Sequence, residues 1–237
     1  MEAVPWSAET SMEAPGQGPG TKAARDDIRS NPAAAASLFS HMAAETGSPV
    51  QMQRQDRLPK GEEGFAQMWA AHPHNYLPDE SQNTSSEELL EEEGLPGWIG
   101  NTCAVRLSVM LNQMGLTITP DKTRAAGIRR APMYSRKTKQ YYILGANEMW
   151  TYLAKNFRRA DQVFPATGLY KDASSFQEAF DKEIRPIVSA RKGIVAFETI
   201  FGYSGTGHVD IFDGETLSDA PGWYPCKKLH LWYVVVP

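Results

Sequence analysis

A chain of 237 residues with a net charge of −4 and 22% charged residues is long enough to bury one sizeable core. It carries no basic surplus, which argues against nucleic acid or an anionic membrane surface as its partner. No apolar run approaches a membrane span, and two cysteines do not make a disulfide framework.

The N-terminal segment, Met1-Glu2-Ala3-Val4-Pro5-Trp6-Ser7, has no basic region followed by an apolar one, so no cleaved secretory signal is expected. Residues 1–60 read as a disordered tail. Pro5, Pro15, Pro19, Pro32, Pro49 and Pro59 punctuate it, and its large apolar residues are too sparse to offset the entropy of folding. Within it, Pro32 through Ala43 could form a short helix. A folded domain is expected over 61–237. Phe65, Met68 and Trp69 stand at i, i+3 and i+4, one face of a first helix.

His72 and His74 follow, without the third ligand a metal site needs. From Asp79 to Glu93 there are seven carboxylates and no Lys or Arg, in a spacing unlike a calcium loop. A solvated acidic linker is expected there. Gly97-Trp98-Ile99-Gly100-Asn101-Thr102-Cys103 leads into a helix ending at Gly115, with Asn101 or Thr102 as cap. Ala104, Leu107, Ser108 and Leu111 share one face and Val105 and Val109 a neighbouring one, the pattern of a buried helix.

Residues 122–140 carry Lys122, Arg124, Arg129, Arg130, Arg136, Lys137 and Lys139 without interleaved aromatics, and read as a solvated loop. Tyr141 to Leu144 reads as a short strand. A helix over Ala146 to Phe157 is expected, capped by Asn147, with Met149, Trp150, Leu153 and Phe157 as its stripe. Another opens at Ser175-Phe176-Gln177-Glu178 and ends at Pro186. The period then changes. Gly193 to Glu198, His208 to Phe212 and Leu229 to Val236 are strand patterns, and Asp213-Gly214 is a turn pair. Helices followed by a run of strands predict an α+β fold with an antiparallel sheet.

Cys103 sits where a helix N-terminus favours an anion, the place for a nucleophilic thiolate. The competing reading is a small core hydrophobe, since free Cys is among the most buried residue types. A nucleophilic cysteine needs an imidazole in reach and a group to orient it. Of five histidines, His208 fits best, opening a strand after Gly205 and Gly207, whereas His230 lies mid-strand.

Asn101-Thr102-Cys103-Ala104-Val105-Arg106-Leu107-Ser108, then Tyr141-Tyr142 before Glu148-Met149-Trp150-Thr151-Tyr152-Leu153, then Gly207-His208-Val209-Asp210-Ile211-Phe212-Asp213-Gly214, resemble the fourth family of type VI secretion amidase effectors. The likeness covers roughly residues 62–237. It implies a papain-like, NlpC-type α+β fold and an amidase that cleaves the D-glutamyl–meso-diaminopimelate bond of peptidoglycan stem peptides. It also implies a nucleophile at Cys103, a base at His208, an acid eleven residues on at Asp219, and no metal or cofactor. The partners it implies are the stem peptide, a secretion apparatus and a cognate immunity protein. Secretion without a cleaved signal and action in a target bacterium's periplasm follow from it.

Asp210 is the other candidate acid. It stands two residues along the strand from His208, about 6.6 Å at ~3.3 Å per residue, a gap that a short carboxylate does not easily span. Two further readings stay open: a non-catalytic interaction protein, and a Cys-His acyltransferase on the same fold.

Overall fold

The computed structural model describes residues 57–237. All but the end of the expected tail, including the suggested Pro32–Ala43 helix, lies outside the described residues. Leu58 is already part of the core. Seven α-helices among the described residues are labelled here in chain order: α1 (Gly61–Ala71), α2 (Ser86–Glu93), α3 (Cys103–Gln113), α4 (Pro120–Ala125), α5 (Ala146–Asn156), α6 (Ala173–Ala179) and α7 (Arg185–Val188). The strands are β1 (Met133–Tyr134), β2 (Tyr141–Tyr142), β3 (Gln162–Phe164), β4 (Lys192–Ile200), β5 (His208–Phe212) and β6 (Cys226–Val235). The main sheet has the order β3-β6-β4-β5, with every pair antiparallel, and β1 and β2 form a separate hairpin. The fold is α+β.

Strand alternation gives the main sheet two apolar faces. Ile194, Ala196, Val209, Ile211, Trp232 and Val234 join α1, α3 and α5 in one core cluster. Val195, Phe197, Phe212, Leu229 and Leu231 join Phe176, Phe180 and Ile184 in another on the opposite face. Helix α3 is buried along its length, from Cys103 through Asn112, as its all-round apolar pattern requires. Gly115 follows in the left-handed conformation with φ 75°, and the Leu116 N–H returns to the Leu111 carbonyl.

Several local expectations are corrected. The acidic run is not simply a solvated linker: its second half is α2. Ser85 Oγ caps the Glu88 N–H while Glu88 Oε2 takes the Ser85 N–H, and Leu89 and Leu90 are buried. A reciprocal cap and an acidic first turn outweigh the repulsion among the carboxylates. Glu93 is buried and accepts the Tyr142 hydroxyl at 2.5 Å. The basic stretch likewise holds structure, with α4 capped by Thr119 and β1 paired to β2. Helix α5 is capped through Gly145 and Glu148, not Asn147. Helix α6 starts earlier than Ser175, at an Asp172–Ser175 capping box. Pro186 does not stop the helical run; it sits in the first turn of α7, where its missing N–H costs nothing.

Candidate active site

Helix α3 packs against β5, an edge strand, and this contact sets Cys103 beside His208. Cys103 is the first residue of α3. Its N–H donates to Asn101 Oδ1 at 3.1 Å, so Asn101 supplies the cap, while Thr102 Oγ1 instead meets Ser86 Oγ at 2.9 Å. The thiol is only 2% exposed, lower than a freely accessible nucleophile.

His208 needs the glycine before it. Gly207 has φ 120°, and a Cβ there would collide with the Phe197 carbonyl oxygen and crowd the Trp150 ring. The Tyr224 ring stands edge-on to the imidazole at 5.3 Å between centroids. Beyond β5 the chain turns at Asp213-Gly214 and doubles back. Leu217 bridges to Phe212, and the Ser218 N–H donates to the Ile211 carbonyl at 3.2 Å. That return carries Asp219 to Asp210 and His208.

Asp210 is wholly buried. Its Oδ1 accepts the Ile211 N–H at 2.7 Å, and its Oδ2 accepts the Asp219 N–H at 2.9 Å and lies 3.3 Å from His208 Nε2. The expectation that the Asp210 carboxylate does not easily span the gap to its strand neighbour's ring is therefore corrected. Both side chains leave the same face, and the gap between Cα atoms is closed by the length of the two side chains. The Asp219 carboxylate points instead to Arg106 on α3, with Oδ1 2.9 Å from Nε. That contact is a charge contact and not an aligned hydrogen bond. Arg106 Nη1 donates to the carbonyls of Pro73 and His74 at 3.0 and 3.2 Å.

The electrostatics follow from burial and these neighbours. Desolvation opposes protonation of His208, but its hydrogen bonds to Asp210 and Cys103 and the charges of both outweigh it. The ring's pKa stands well above the usual value. Burial pushes Asp219 up to about 6 and Asp210 adds to this, against the opposing pull of Arg106, His208 and a hydrogen bond from Asn75. A cleft of about 270 Å³ opens at this point, lined among others by Asn75, Tyr76, Asn101, Tyr203, His208 and Asp219. Asn101 Nδ2 donates to Tyr203 Oη at 2.7 Å across it.

The other candidates lie elsewhere. His230 Nε2 meets Glu198 Oε2 at 2.9 Å and its ring stacks on Trp150 and Trp232. His72 and His74 both place Nδ1 2.7 Å from the Ser218 hydroxyl. Among the described residues no group of three or more His, Cys, Asp or Glu side chains is placed to hold a metal ion, and no helix is long and apolar enough to cross a membrane. Cys226 is a free buried thiol whose pKa is raised by desolvation. Sequence reasoning overlooked Arg106. The signal was present, since it is the one charged residue in an otherwise buried helix, three positions after the cysteine.

No curated protein matches this chain. Among solved structures it is similar to the Tae4 effector of the Salmonella typhimurium Tae4–Tai4 effector–immunity system, in its selenomethionine variant. The identity is 24% over 76% of this chain and 99% of that one, with a TM-score of 0.46. It is also similar to the type VI effector Tae4 from Enterobacter cloacae, at 18% identity over 64% of this chain and 81% of that one, with a TM-score of 0.42. Residues 99–232, more than half of the chain, match the family model for amidase effector protein 4 of the type VI secretion system, Tae4. This segment includes Cys103, Arg106, His208, Asp210 and Asp219, and the chain accordingly belongs to the Tae4 family of type VI secretion amidase effectors.

Proposed function

We propose that this effector cleaves the D-glutamyl–meso-diaminopimelate amide of peptidoglycan stem peptides by cysteine nucleophilic catalysis. The supporting observation is the juxtaposition of Cys103, at a helix N-terminus, with the His208 imidazole beside a cleft. Cys103 is the nucleophile and His208 the base. The thiolate attacks the amide carbonyl carbon, and the Cys103 N–H becomes a donor for the developing oxyanion once Asn101 releases it. His208 protonates the leaving amine as the C–N bond breaks, which leaves a thioester. His208 then takes a proton from water, the hydroxide attacks the thioester, and the free acid and thiol are released.

Asp219 is the third group. It lines the cleft beside His208 and its charge favours the imidazolium, while Asp210 holds Nε2 from within. The site of action is the periplasm of a target bacterium, reached through the type VI apparatus. The producing cell is protected by an immunity protein, a reading supported by the Salmonella typhimurium Tae4 having been solved as an effector–immunity system with Tai4.

Mass spectrometry of purified peptidoglycan digested with the full chain tests this. New D-glutamyl carboxylates and free diaminopimelyl amines are expected with the wild type and absent with Cys103→Ala. Products cut at another bond would overturn the assigned substrate bond. Unchanged peptidoglycan would overturn the activity.

A further inference from the structure

The site contains two buried acids tied by a backbone hydrogen bond, the Asp219 N–H resting on Asp210 Oδ2, and the Asp210 charge disfavours ionisation of Asp219. Like charges this close resist joint ionisation, and one of them tends to keep a proton. Arg106 opposes this most strongly, ahead of His208 and Asn75. It is 0% exposed and lies on the same helix as Cys103, one turn further in. Its Nε lies 2.9 Å from Asp219 Oδ1, and its Nη1 binds the Pro73 and His74 carbonyls. That 73–76 segment is tied in turn to the loop carrying Asp219. The Asn75 and Tyr76 N–H groups both donate to the Ser218 carbonyl, at 2.9 and 3.1 Å. One guanidinium thus clamps the nucleophile helix, the segment before it and the acidic loop.

We propose that Arg106 is a positioning residue of the amidase: its buried charge holds Asp219 as a carboxylate next to the His208–Asp210 pair and thereby sets the lower pH limit of turnover. The groups facing Asp219 are Arg106 from α3, Asp210 and His208 from β5, and Asn75 from the segment before α2. Tyr224 interacts with it from the following loop, and Cys103 reaches the cluster through His208. The His72 and His74 rings bind its neighbour Ser218. Arg106 is the only one of these that is cationic at every working pH. A lysine carries the charge but not the fork that joins Asp219 to the two carbonyls.

For its effect on turnover the inference rests on the proposed cysteine amidase reading; for the titration itself it does not. The test compares wild type, Arg106→Lys and Arg106→Gln. The Asp219 carboxyl is titrated by carbon NMR of aspartate-labelled full-length protein, assigned with Asp219→Asn, and the pH profile of kcat on peptidoglycan is measured alongside. In Arg106→Gln the Asp219 midpoint is expected to rise by about 1–3 units, the usual effect of losing a close opposite charge. The acid limb of kcat is expected to move with it. Arg106→Lys is expected to keep the midpoint near that of the wild type but to lower kcat. A folded Arg106→Gln with an unmoved midpoint overturns the proposal. So does a moved midpoint with an unmoved acid limb in an active enzyme. A moved midpoint in Arg106→Gln beside a wild type that does not hydrolyse peptidoglycan refutes the functional reading and leaves the electrostatic role standing. If Arg106→Gln fails to fold, the double variant Arg106→Gln/Asp219→Asn decides. It removes both charges and is expected to regain folding, and equal misfolding would show that Arg106 acts by packing alone.

Discussion

The backbone N–H of Asp219 donates to Oδ2 of Asp210 at 2.9 Å, the same oxygen that lies 3.3 Å from His208 Nε2. The two acids are therefore parts of one network, with different duties. Asp210 accepts two backbone N–H groups and touches the ring; Asp219 faces the cleft and Arg106.

Their amide variants should separate these duties. Asp219→Asn is expected to lower kcat by about 100-fold, the low end for disabling an acid–base apparatus, with little loss of fold. Asp210→Asn leaves one buried N–H without its carboxylate oxygen and is expected to lower stability by about 1–3 kcal/mol in addition to slowing turnover. Thermal melts and kinetics of both variants check this. An Asp219→Asn enzyme at wild-type rate beside an inactive, fully stable Asp210→Asn would transfer the catalytic role to Asp210.

Cys103→Ala should abolish hydrolysis while the protein still folds, since only a sulfur atom is removed. His208→Ala should lose at least about 100-fold in kcat. His230→Ala should stay active, because His230 is engaged by Glu198 and the Trp150 and Trp232 rings and not by Cys103. An active His208→Ala with an inactive His230→Ala would reverse the choice of base. Peptidoglycan turnover assays decide.

Stability should depend on pH through Asp219. Its proton is bound more tightly in the folded state, with a pKa of about 6 against 3.8 for the free side chain. The stability this contributes is present below about pH 4 and is lost as pH rises through 6. Denaturant melts of wild type and Asp219→Asn should show it. The wild type should lose, relative to the variant, on the order of 3 kcal/mol between pH 4 and 7. A constant difference across that window would refute the burial-driven shift.

Gly207→Ala should be strongly destabilising or should displace His208. The new methyl meets the Phe197 carbonyl, and the φ of 120° is costly for alanine. A loss above about 1 kcal/mol in chemical denaturation is expected. An unaffected variant with full activity would show that the β5 entry is more pliable than its geometry indicates.

The α3 helix and the strands β4, β5 and β6 were legible in sequence because each carries its own period: apolar residues all round for the helix, β-branched and aromatic runs for the strands. The Cys103 and His208 positions came from the same local signals. Helix α2 was hidden by composition, since seven carboxylates obscured a Ser85–Glu88 capping box. Strands β1 and β3, of two and three residues, are held by their partners and carry no period of their own. The reach of Asp210 to His208 depends on rotamers, and the seat of Asp219 depends on an ion pair with a residue over a hundred positions earlier. Neither is written in local spacing.

The main sheet also partitions the two sulfur atoms. Cys103 belongs to the cluster on one face and Cys226 to the cluster on the other, with its Sγ against the Lys228 carbonyl at 3.3 Å. Joining them would require the sheet to be taken apart, far more than a disulfide returns. The described domain therefore has no internal cross-link to gain in an oxidising compartment or to lose in a reducing one. The same covalent structure serves in either compartment, and Cys103 stays a thiol in both.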